Sequence, residues 1–430
     1  MKKSNPMFWI PTLYFAEGIP YFIVNVISVT MFKRLGMSNG DLALYTSLLY
    51  LPWVIKPLWS PFVDVIRSKR WWVLAMQVVM SAAFVALALS LPRNPVSGGV
   101  SPFVLTLVLF YVCALASATH DIAADGFYML SLDDHQQALY VGIRSTFYRI
   151  ASVFGQGVIV VAAGALEIRY GNISRAWTVT LLLSAALFSA VTLWHIYALP
   201  RVEKVQAERP DSPVLEGAGR ALVTFFRKPG VWVAIIFMLL YRLPEALSVK
   251  MLSPFMLDPV QDGGLGLTTV QSGMAYGTIG VIALTLGGIL GGVAASRWGL
   301  RKSLWPMALS LALPCAVYLY MSVVQPSFAV VSLCVAIDQF GYGFGFTAYM
   351  LYMIYFSEGE FKTSHYAICT AFMALSMMIP GLFAGFMQES LGYTGFFIVV
   401  MVCCLATVAM TFVVRRRVNP EFGRKSSENG

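Results

Sequence analysis

The chain has 430 residues, of which 58% are hydrophobic and only 12% are charged, and its mean hydropathy is +0.71. Soluble domains carry about 25% charged residues, so this composition excludes an ordinary soluble protein and predicts a protein embedded in a membrane. The formal net charge of +9 needs no nucleic-acid partner, because the sequence contains no basic, aromatic-rich domain that would bind one.

Apolar stretches of about 20 residues, the length at which an α-helix crosses the hydrocarbon core, recur along the whole chain. The predicted fold is therefore an all-α polytopic membrane protein with about twelve transmembrane helices. The predicted spans are 7–31, 41–63, 71–91, 101–128, 139–164, 176–198, 229–256, 268–294, 303–322, 327–354, 365–388 and 393–414. The first span is too long for a signal peptide and lacks a small-residue cleavage site, so we expect it to remain in the mature protein.

The Lys and Arg residues predict the orientation. If both termini are cytoplasmic, most of these residues fall in cytoplasmic segments, and the opposite side holds only Lys33, Arg34, Arg93, Arg169 and Arg175. Membrane proteins concentrate Lys and Arg in cytoplasmic loops, so we expect both termini inside.

Cysteine and histidine usage predicts no metal, no cofactor and no disulfide framework. The six cysteines all fall inside predicted helices, and no two histidines share a helix at ligand spacing. His120 precedes Asp121 and is a candidate for tuning its protonation, although a single histidine is equally often a packed polar residue.

The polar stretch 199–228 is predicted to be a cytoplasmic linker between two six-helix bundles, 1–198 and 229–414, with a tail at 415–430. The bundles resemble each other. "WSPFVDVIRSKR" at 59–70 and "GGVAASRWGLRK" at 291–302 occupy equivalent loops, and the second resembles the loop motif of the major facilitator superfamily. These loops supply the predicted gating residues, which are Asp64, Lys69, Arg70, Arg297 and Arg301.

Glu17 in "YFAEGIPYF" and Glu245 in "YRLPEA" hold similar positions in the first helix of each half. Transporters built from such repeats bind substrate at the interface of the repeats, near the bilayer midplane. Both acids are therefore predicted to line a central cavity.

Charged residues inside predicted spans are costly, so each is a candidate for function. The candidate proton-coupling acids are Glu17, Asp121, Asp125, Glu245 and Asp338. Helical periodicity places Tyr14 on the same face as Glu17, and Asp121 on the same face as Asp125. The candidate substrate-binding residues are Tyr14, Tyr21, Asn25, Lys56, Arg149, Gln156, Tyr241, Arg242, Gln339 and Tyr342.

Structural roles are the alternative for some of these residues. Arg149 is equally a candidate for a buried ion pair with Asp121 or Asp125, and the cluster of Asp64 with Lys69 and Arg70 fits a gate or a helix cap better than a substrate contact. The four-residue spacing of Gly287 with Gly291, and of Gly288 with Gly292, predicts close helix packing.

Seven stretches resemble, in order, the signature segments of the AmpG-type muropeptide permeases, a branch of the major facilitator superfamily related to acetyl-CoA transporters. They are "FAEGIPYF", "VIKPLWSPFVD", "LASATHDIAADGF", "YRIASVFG", "YRLPEAL", "IDQFGYGFG" and "FKTSHYAICTA". The resemblance implies a twelve-helix permease of the bacterial inner membrane that imports N-acetylglucosamine-anhydro-N-acetylmuramic acid and its peptide-bearing forms with protons, for cell-wall recycling. It carries over Lys56, Asp64, Asp121, Asp125, Arg149, Arg242, Glu245 and Asp338.

Glu17, Pro244 and Val65 depart from the pattern that the resemblance implies, so a modified coupling scheme or another saccharide remains open. An importer of another oligosaccharide or small amphiphile, or an exporter, would use the same fold. An enzyme is not expected, because the sequence shows no ordered Ser or Cys nucleophile with His and Asp partners. The chain is expected to act as a monomer.

Overall fold

The computed structural model of the chain describes residues 5–92, 100–132, 134–201, 214–359, 361–420 and 422. Within these residues every regular element is a helix. The chain forms two compact units, one of Met1–Ser38 with Ile55–Gly217 and the other of Asn39–Val54 with Ala218–Gly430.

In its N-terminal half, the described chain contains ten α-helices. They are α1 Ile10–Phe22, α2 Ser28–Arg34, α3 Asn39–Leu48, α4 Leu51–Ile55, α5 Ser60–Val65, α6 Lys69–Ser90, α7 Val104–Ser131, α8 Asp134–Val153, α9 Val160–Tyr170 and α10 Ile173–Ala198. Helix α3 packs against helices of the second unit.

The remainder of the described chain contains nine α-helices. They are α11 Val214–Phe226, α12 Val231–Leu240, α13 Leu243–Leu257, α14 Thr269–Ser272, α15 Val281–Trp298, α16 Leu300–Ala312, α17 Ala316–Val324, α18 Phe328–Ser357 and α19 Lys362–Arg415.

Ten helical stretches among the described residues are long and apolar enough to cross a membrane, which confirms the predicted all-α membrane fold. Large apolar side chains are exposed along them, for example Ile168 at 75% and Leu405 at 68%. Such exposure is expected where lipid replaces water around the protein.

The ten stretches differ from the twelve predicted spans at two places. Helix α19 covers both 365–388 and 393–414, which join at Gly392, where the backbone leaves helical geometry with φ 69°. The span 41–63 is broken into α3, α4, a short 3₁₀ turn at Lys56–Leu58 and α5. Pro52 and Pro57 lie in this broken region, and each lacks the N–H group that a continuous helix requires.

Three spans contain π-helical turns, at Ile23–Ile27, Phe154–Ile159 and Gly273–Gly280. A π-turn adds a residue to the helical turn and rotates the side chains that follow, and such turns are frequent at functional sites. The first two contain Asn25 and Gln156, both predicted to bind substrate.

The predicted linker 199–228 is partly helical, since α11 occupies its second half; residues 202–213 lie outside the described residues. Phe225 on α11 is fully buried, with its ring centroid 5.6 Å from that of Phe356 and 6.3 Å from that of Phe372. Helix α11 therefore belongs to the core of the second unit. The bundle boundaries 1–198, 199–228, 229–414 and 415–430 remain a prediction.

Glycines permit the close packing of α15 against α18. A methyl group at Gly287 would collide with the backbone carbonyl of Phe340, and one at Gly291 would lie 2.6 Å from Thr347 Oγ1. These contacts confirm the predicted packing role of Gly287 and Gly291. Gly292 has nothing within 4 Å, so its predicted role in packing is wrong.

Alanine substitutions at these two glycines should have opposite effects on stability. Gly287→Ala forces backbone atoms apart and should cost about 1–3 kcal/mol, the usual cost of overpacking. Gly292→Ala, on the same helix but facing open space, should be neutral or stabilising by up to about 1 kcal/mol because Ala favours the helix. Thermal unfolding in detergent measures both, and equal melting temperatures for the two variants would contradict this account of the contact.

Candidate functional site

A cluster of charged side chains lies in the first unit, where α1, α7 and α8 meet the residues just before α5. Lys56 Nζ lies 2.6 Å from Asp121 Oδ2, and Arg144 Nη2 lies 2.5 Å from Asp125 Oδ1. Asp121 and Asp125 are one turn apart on α7, so both carboxylates face the same neighbours. Each aspartate thus has its own cation.

Tyr14 and Glu17, on successive positions of one face of α1, complete the cluster. The Tyr14 hydroxyl donates to Asp125 Oδ1 at 3.2 Å, and the Arg144 guanidinium lies 4.4 Å from the centroid of the Tyr14 ring. Glu17 is 7% exposed and lies within hydrogen-bonding reach of Asp121. Its Oε2 atom is buried and has no hydrogen-bond partner among the described residues.

The cluster has one more acid than base. Glu17, Asp121 and Asp125 supply three carboxyl groups, whereas Lys56 and Arg144 supply two cations. If all five were ionised, the cluster would hold one uncompensated negative charge, which is costly away from water. One bound proton would remove that charge.

The sequence-based pairing of Arg149 with Asp121 or Asp125 is wrong. Arg149 is half-buried and forms no ion pair with a described residue, and Lys56 and Arg144 occupy the positions beside the two aspartates. Arg149 comes five residues after Arg144 on α8, which turns it to a different face from the arginine that contacts Asp125.

Three other predicted substrate-binding residues of the first unit lie along α1 and the two π-turns. Tyr21 is half-buried, with its ring centroid 5.3 Å from that of Phe22. Asn25 donates to the backbone oxygen of Tyr21, whereas its own Oδ1 is buried without a partner in the described chain. Gln156 donates to Ser152 Oγ at 2.8 Å on its own helix.

His120 takes part in a buried chain of hydrogen bonds that avoids Asp121. Thr12 donates to the Trp9 carbonyl, so His195 Nε2 must donate to Thr12 Oγ1, and its Nδ1 accepts from the Gln77 amide. The same amide donates to His120 Nε2 at 3.0 Å. One assignment thus accounts for these contacts with both imidazoles in their neutral forms.

The second unit has its own charged group on α13. Arg242 forms a two-pronged ion pair with Glu245, with both N–O distances 2.7 Å, and donates to the Tyr342 hydroxyl at 3.0 Å. The guanidinium lies 4.8 Å from the centroid of the Phe346 ring. This geometry joins a cation to two aromatic side chains in one place.

Asp338 and Gln339 lie next to each other on α18. Asp338 Oδ2 accepts from the Tyr318 hydroxyl at 2.5 Å and from Gln339 Nε2 at 3.0 Å. No described cation pairs with Asp338, so hydrogen-bond donors alone stabilise it. Tyr241, also predicted to bind substrate, is fully buried and donates to the Gly345 carbonyl, which makes it a core residue.

Four of the five predicted gating residues have side chains that the structure describes. Arg70 donates to the carbonyls of Ile196 and Leu199 and so caps the end of α10. Lys69 lies over Gly126, where a methyl group would come within 2.7 Å of its Cε. Arg297 is exposed and Arg301 half-buried, and neither side chain pairs with a described acid. The side chain of Asp64 lies outside the described part of the chain.

The sequence does not predict two further polar groups. Arg34 pairs with Glu167 at 2.9 Å, and the Trp177 indole donates to the same carboxylate at 2.8 Å. In the second unit, Asn39 donates to Gln388 Oε1 and Asp258 Oδ2, and Tyr393 donates to Asp258 at 2.5 Å. In both groups, an acid lies close to the end of a predicted span, and this feature of the sequence could have indicated them.

The first unit also has an outer groove of about 510 Å³, lined by apolar side chains such as Trp59, Met76 and Leu115. None of the charged cluster lines it. Within the described ranges, no three His, Cys, Asp or Glu side chains come together as metal ligands.

Known proteins share both the sequence pattern and the fold. The chain is 23% identical to the anhydromuropeptide permease of Escherichia coli K12, over 95% of this chain and 81% of that protein. It is also 23% identical to a protein of Rickettsia felis that is named as a transporter, AmpG 4, over 97% and 98% of the two chains. These relatives confirm the resemblance to AmpG-type proteins that the motifs indicate.

Solved transporter structures have the same fold. A D-xylose-proton symporter superposes with a TM-score of 0.73 at 13% identity, covering 97% of this chain and 98% of its own. The nucleoside transporter NupG gives a TM-score of 0.70 at 16% identity, covering 96–97% of this chain and 100% of its own. Residues 12–364 match the sequence pattern of the Major Facilitator Superfamily, and the chain therefore belongs to this family of multi-pass membrane transporters.

Proposed function

We propose that this chain is a proton-coupled importer of muropeptides or related amino-sugar disaccharides that works by alternating access. It would act as a monomer in the inner membrane of a bacterium, with both termini in the cytoplasm. The relative named as an anhydromuropeptide permease supports the substrate class, and the fold shared with a D-xylose-proton symporter is compatible with proton coupling.

The charge excess of the first-unit cluster carries the proposal of proton coupling. Lys56 and Arg144 each hold one aspartate, which leaves Glu17 as the carboxyl group without a cation of its own. A proton on Glu17 neutralises the cluster and gives the side chain a donor for Asp121. Of the five candidate acids, Glu17 is therefore the proposed carrier, and Asp121, Asp125, Glu245 and Asp338 hold their neighbours in place.

The substrate contacts are proposed from the groups that can bind a sugar. The rings of Tyr342 and Phe346 offer flat apolar faces beside the Arg242 donor, a combination suited to a sugar ring with polar edges. Asn25 Oδ1, which lacks a partner among the described residues, offers an acceptor for a hydroxyl or amide N–H group.

The proposed cycle links the proton to the substrate. Substrate and a proton for Glu17 load from outside, because only the neutral cluster tolerates a closed, dehydrated site. After reorientation, contact with cytoplasmic water allows Glu17 to lose its proton, and the substrate leaves.

The first experiment is uptake of labelled N-acetylglucosamine-anhydro-N-acetylmuramic acid into proteoliposomes, with and without an inward proton gradient. Accumulation that depends on the gradient supports the proposal. Uptake of N,N′-diacetylchitobiose or another disaccharide in its place would reject the muropeptide and favour an importer of other oligosaccharides. Outward movement of substrate against its gradient would favour an exporter.

Glu17→Gln should uncouple transport from protons. With one proton per substrate, a gradient of about one pH unit supports roughly tenfold accumulation, and the variant should reach a ratio of about one because its cluster is already neutral. Exchange of labelled for unlabelled substrate should continue, because the amide preserves the shape of the side chain. Both quantities are measured in the same proteoliposomes.

A buried acid outside the cluster gives the matched control. Glu167→Gln weakens the contact with Arg34, so it should lower the melting temperature but leave gradient-driven accumulation at the wild-type ratio. If Glu17→Gln concentrates substrate as well as wild type, Glu17 is not the proton carrier.

Asp125→Asn should also abolish accumulation, because it removes the excess negative charge and leaves Arg144 unpaired. Adding Arg144→Gln removes that cation and restores one excess carboxylate, so the double variant should regain part of the accumulation. The accumulation ratios of the two variants decide the point. An equal loss in both would show that the individual groups matter and that the charge balance does not.

A further inference from the structure

Lys250 on α13 is a buried cation without a counter-charge. The residue is 5% exposed, and its Nζ donates to Thr46 Oγ1 on α3 at 3.1 Å. The same nitrogen lies 5.5 Å from the centroid of the Tyr50 ring. These contacts are a neutral hydroxyl and a ring face, neither of which carries a full negative charge.

Other cations in the described core have a carboxylate as counter-charge. Arg242, Lys56, Arg144 and Arg34 each form an ion pair with a carboxylate, whereas no described acid pairs with Lys250. Burying an unpaired ammonium costs several kcal/mol, so a lone lysine inside a span marks a site where a negative group is expected.

A second unsatisfied group lies beside Lys250. Ser47 Oγ is buried and has no hydrogen-bond partner in the described chain. Gly381 on α19 brings the two together, because a methyl group there would collide with Ser47 Oγ and lie 3.2 Å from Lys250 Cε. The last carbon of the Lys250 side chain and the unused hydroxyl therefore flank the same glycine.

The donors that remain match a carboxylate. An ammonium has three N–H groups, of which one goes to Thr46, and Ser47 contributes one O–H. The Thr46 hydroxyl donates to the Leu42 carbonyl at 2.6 Å, so it can only accept from Lys250. One cation and one hydroxyl suit the two oxygens of a carboxylate better than the higher charge of a phosphate.

Helix α3 covers this group in the present structure. Gly385 on α19 lets α3 approach closely, since a methyl group there would collide with the Asn39 carbonyl, and Asn39 holds the end of α3 to Gln388 and Asp258. Lys250 would become accessible if α3 moved away from α13 and α19, and Ser47, which α3 carries, would join the bound carboxylate when α3 returned. The ligand must therefore arrive during a conformational change, as a transported substrate does.

We infer that Lys250, assisted by Ser47, is the subsite for a carboxylate group of the transported substrate. This inference rests on the proposed function and applies to the peptide-free disaccharide, in which the lactyl group of anhydro-N-acetylmuramic acid is a free carboxylate. In peptide-bearing forms that carboxyl is amide-linked, so the subsite would favour the peptide-free substrate. A hydrogen bond to a charged partner contributes about 1.5–3 kcal/mol, so the subsite should favour an acid over its uncharged amide by about tenfold to hundredfold.

The test compares competition by two unlabelled probes, N-acetylglucosamine-anhydro-N-acetylmuramic acid and the same disaccharide with its lactyl group converted to a carboxamide. Wild type should prefer the acid by about tenfold or more, and Lys250→Gln should compress that preference to within about twofold. Ser47→Ala should reduce it by a few-fold. Thr46→Val, which removes the hydrogen bond but keeps the cation, is the matched control and should retain the preference.

The outcomes separate this inference from the proposed function. Equal inhibition constants for the two probes in wild type overturn the subsite and leave the importer intact. If wild type does not take up the labelled disaccharide and neither probe inhibits transport, the muropeptide assignment is rejected, and N-acetylmuramate then tests the subsite by thermal shift. A rise in melting temperature that is lost in Ser47→Ala and Lys250→Gln supports a carboxylate site, and no rise in wild type overturns it. If Lys250→Gln does not fold, the wild-type preference and Ser47→Ala decide alone.

Discussion

The cost of burying charge in an apolar environment organises this structure. Lipid offers no hydrogen bonds, so a charge inside a span must find a partner within the protein. Four cations in the described core find one, in the pairs Arg34–Glu167, Lys56–Asp121, Arg144–Asp125 and Arg242–Glu245. The pairs each join residues of one compact unit, so they stabilise the two units separately. The groups left outside these pairs are then the ones that need a functional explanation.

The exceptions are Asp338, Glu17 and Lys250, and they differ in how many hydrogen-bonding or charged partners the protein gives them. Asp338 receives two donors on one oxygen, from Tyr318 and Gln339, and so behaves as a stabilised acid. Glu17 retains a buried oxygen without a donor, and Lys250 meets only a hydroxyl and a ring face. A bound proton would complete the first site and a bound carboxylate the second, so the incomplete groups match the two species that a proton-coupled importer of an acidic sugar would carry.

The sequence predicts much of this arrangement because hydropathy and helical period are local properties. It predicts the fold class, the order of the spans and the grouping of Tyr14 with Glu17 and of Asp121 with Asp125, since each group lies on one helix. It does not predict which residue of another helix reaches a given acid, and so the alternative role of Arg149 as an ion-pair partner falls to Arg144. The break of the span 41–63 and the association of α3 with the second unit depend on packing between distant segments, and Lys250 becomes conspicuous only when those neighbours are known.

Helix α3 contacts α19 partly through glycines and polar groups, beside the buried apolar residues Leu42 and Ala43. Gly381 and Gly385 allow the backbones to approach, and Asn39 fixes the end of the helix with hydrogen bonds to Gln388, Asp258 and Tyr393. Such hydrogen bonds contribute about 1 kcal/mol each when water is the alternative partner, so they can be exchanged for bonds to water at a small net cost. Water or a polar substrate can satisfy the same groups once they part. The polar part of this contact is therefore suited to repeated opening, and the cation beneath α3 is suited to a ligand that arrives while the contact is open.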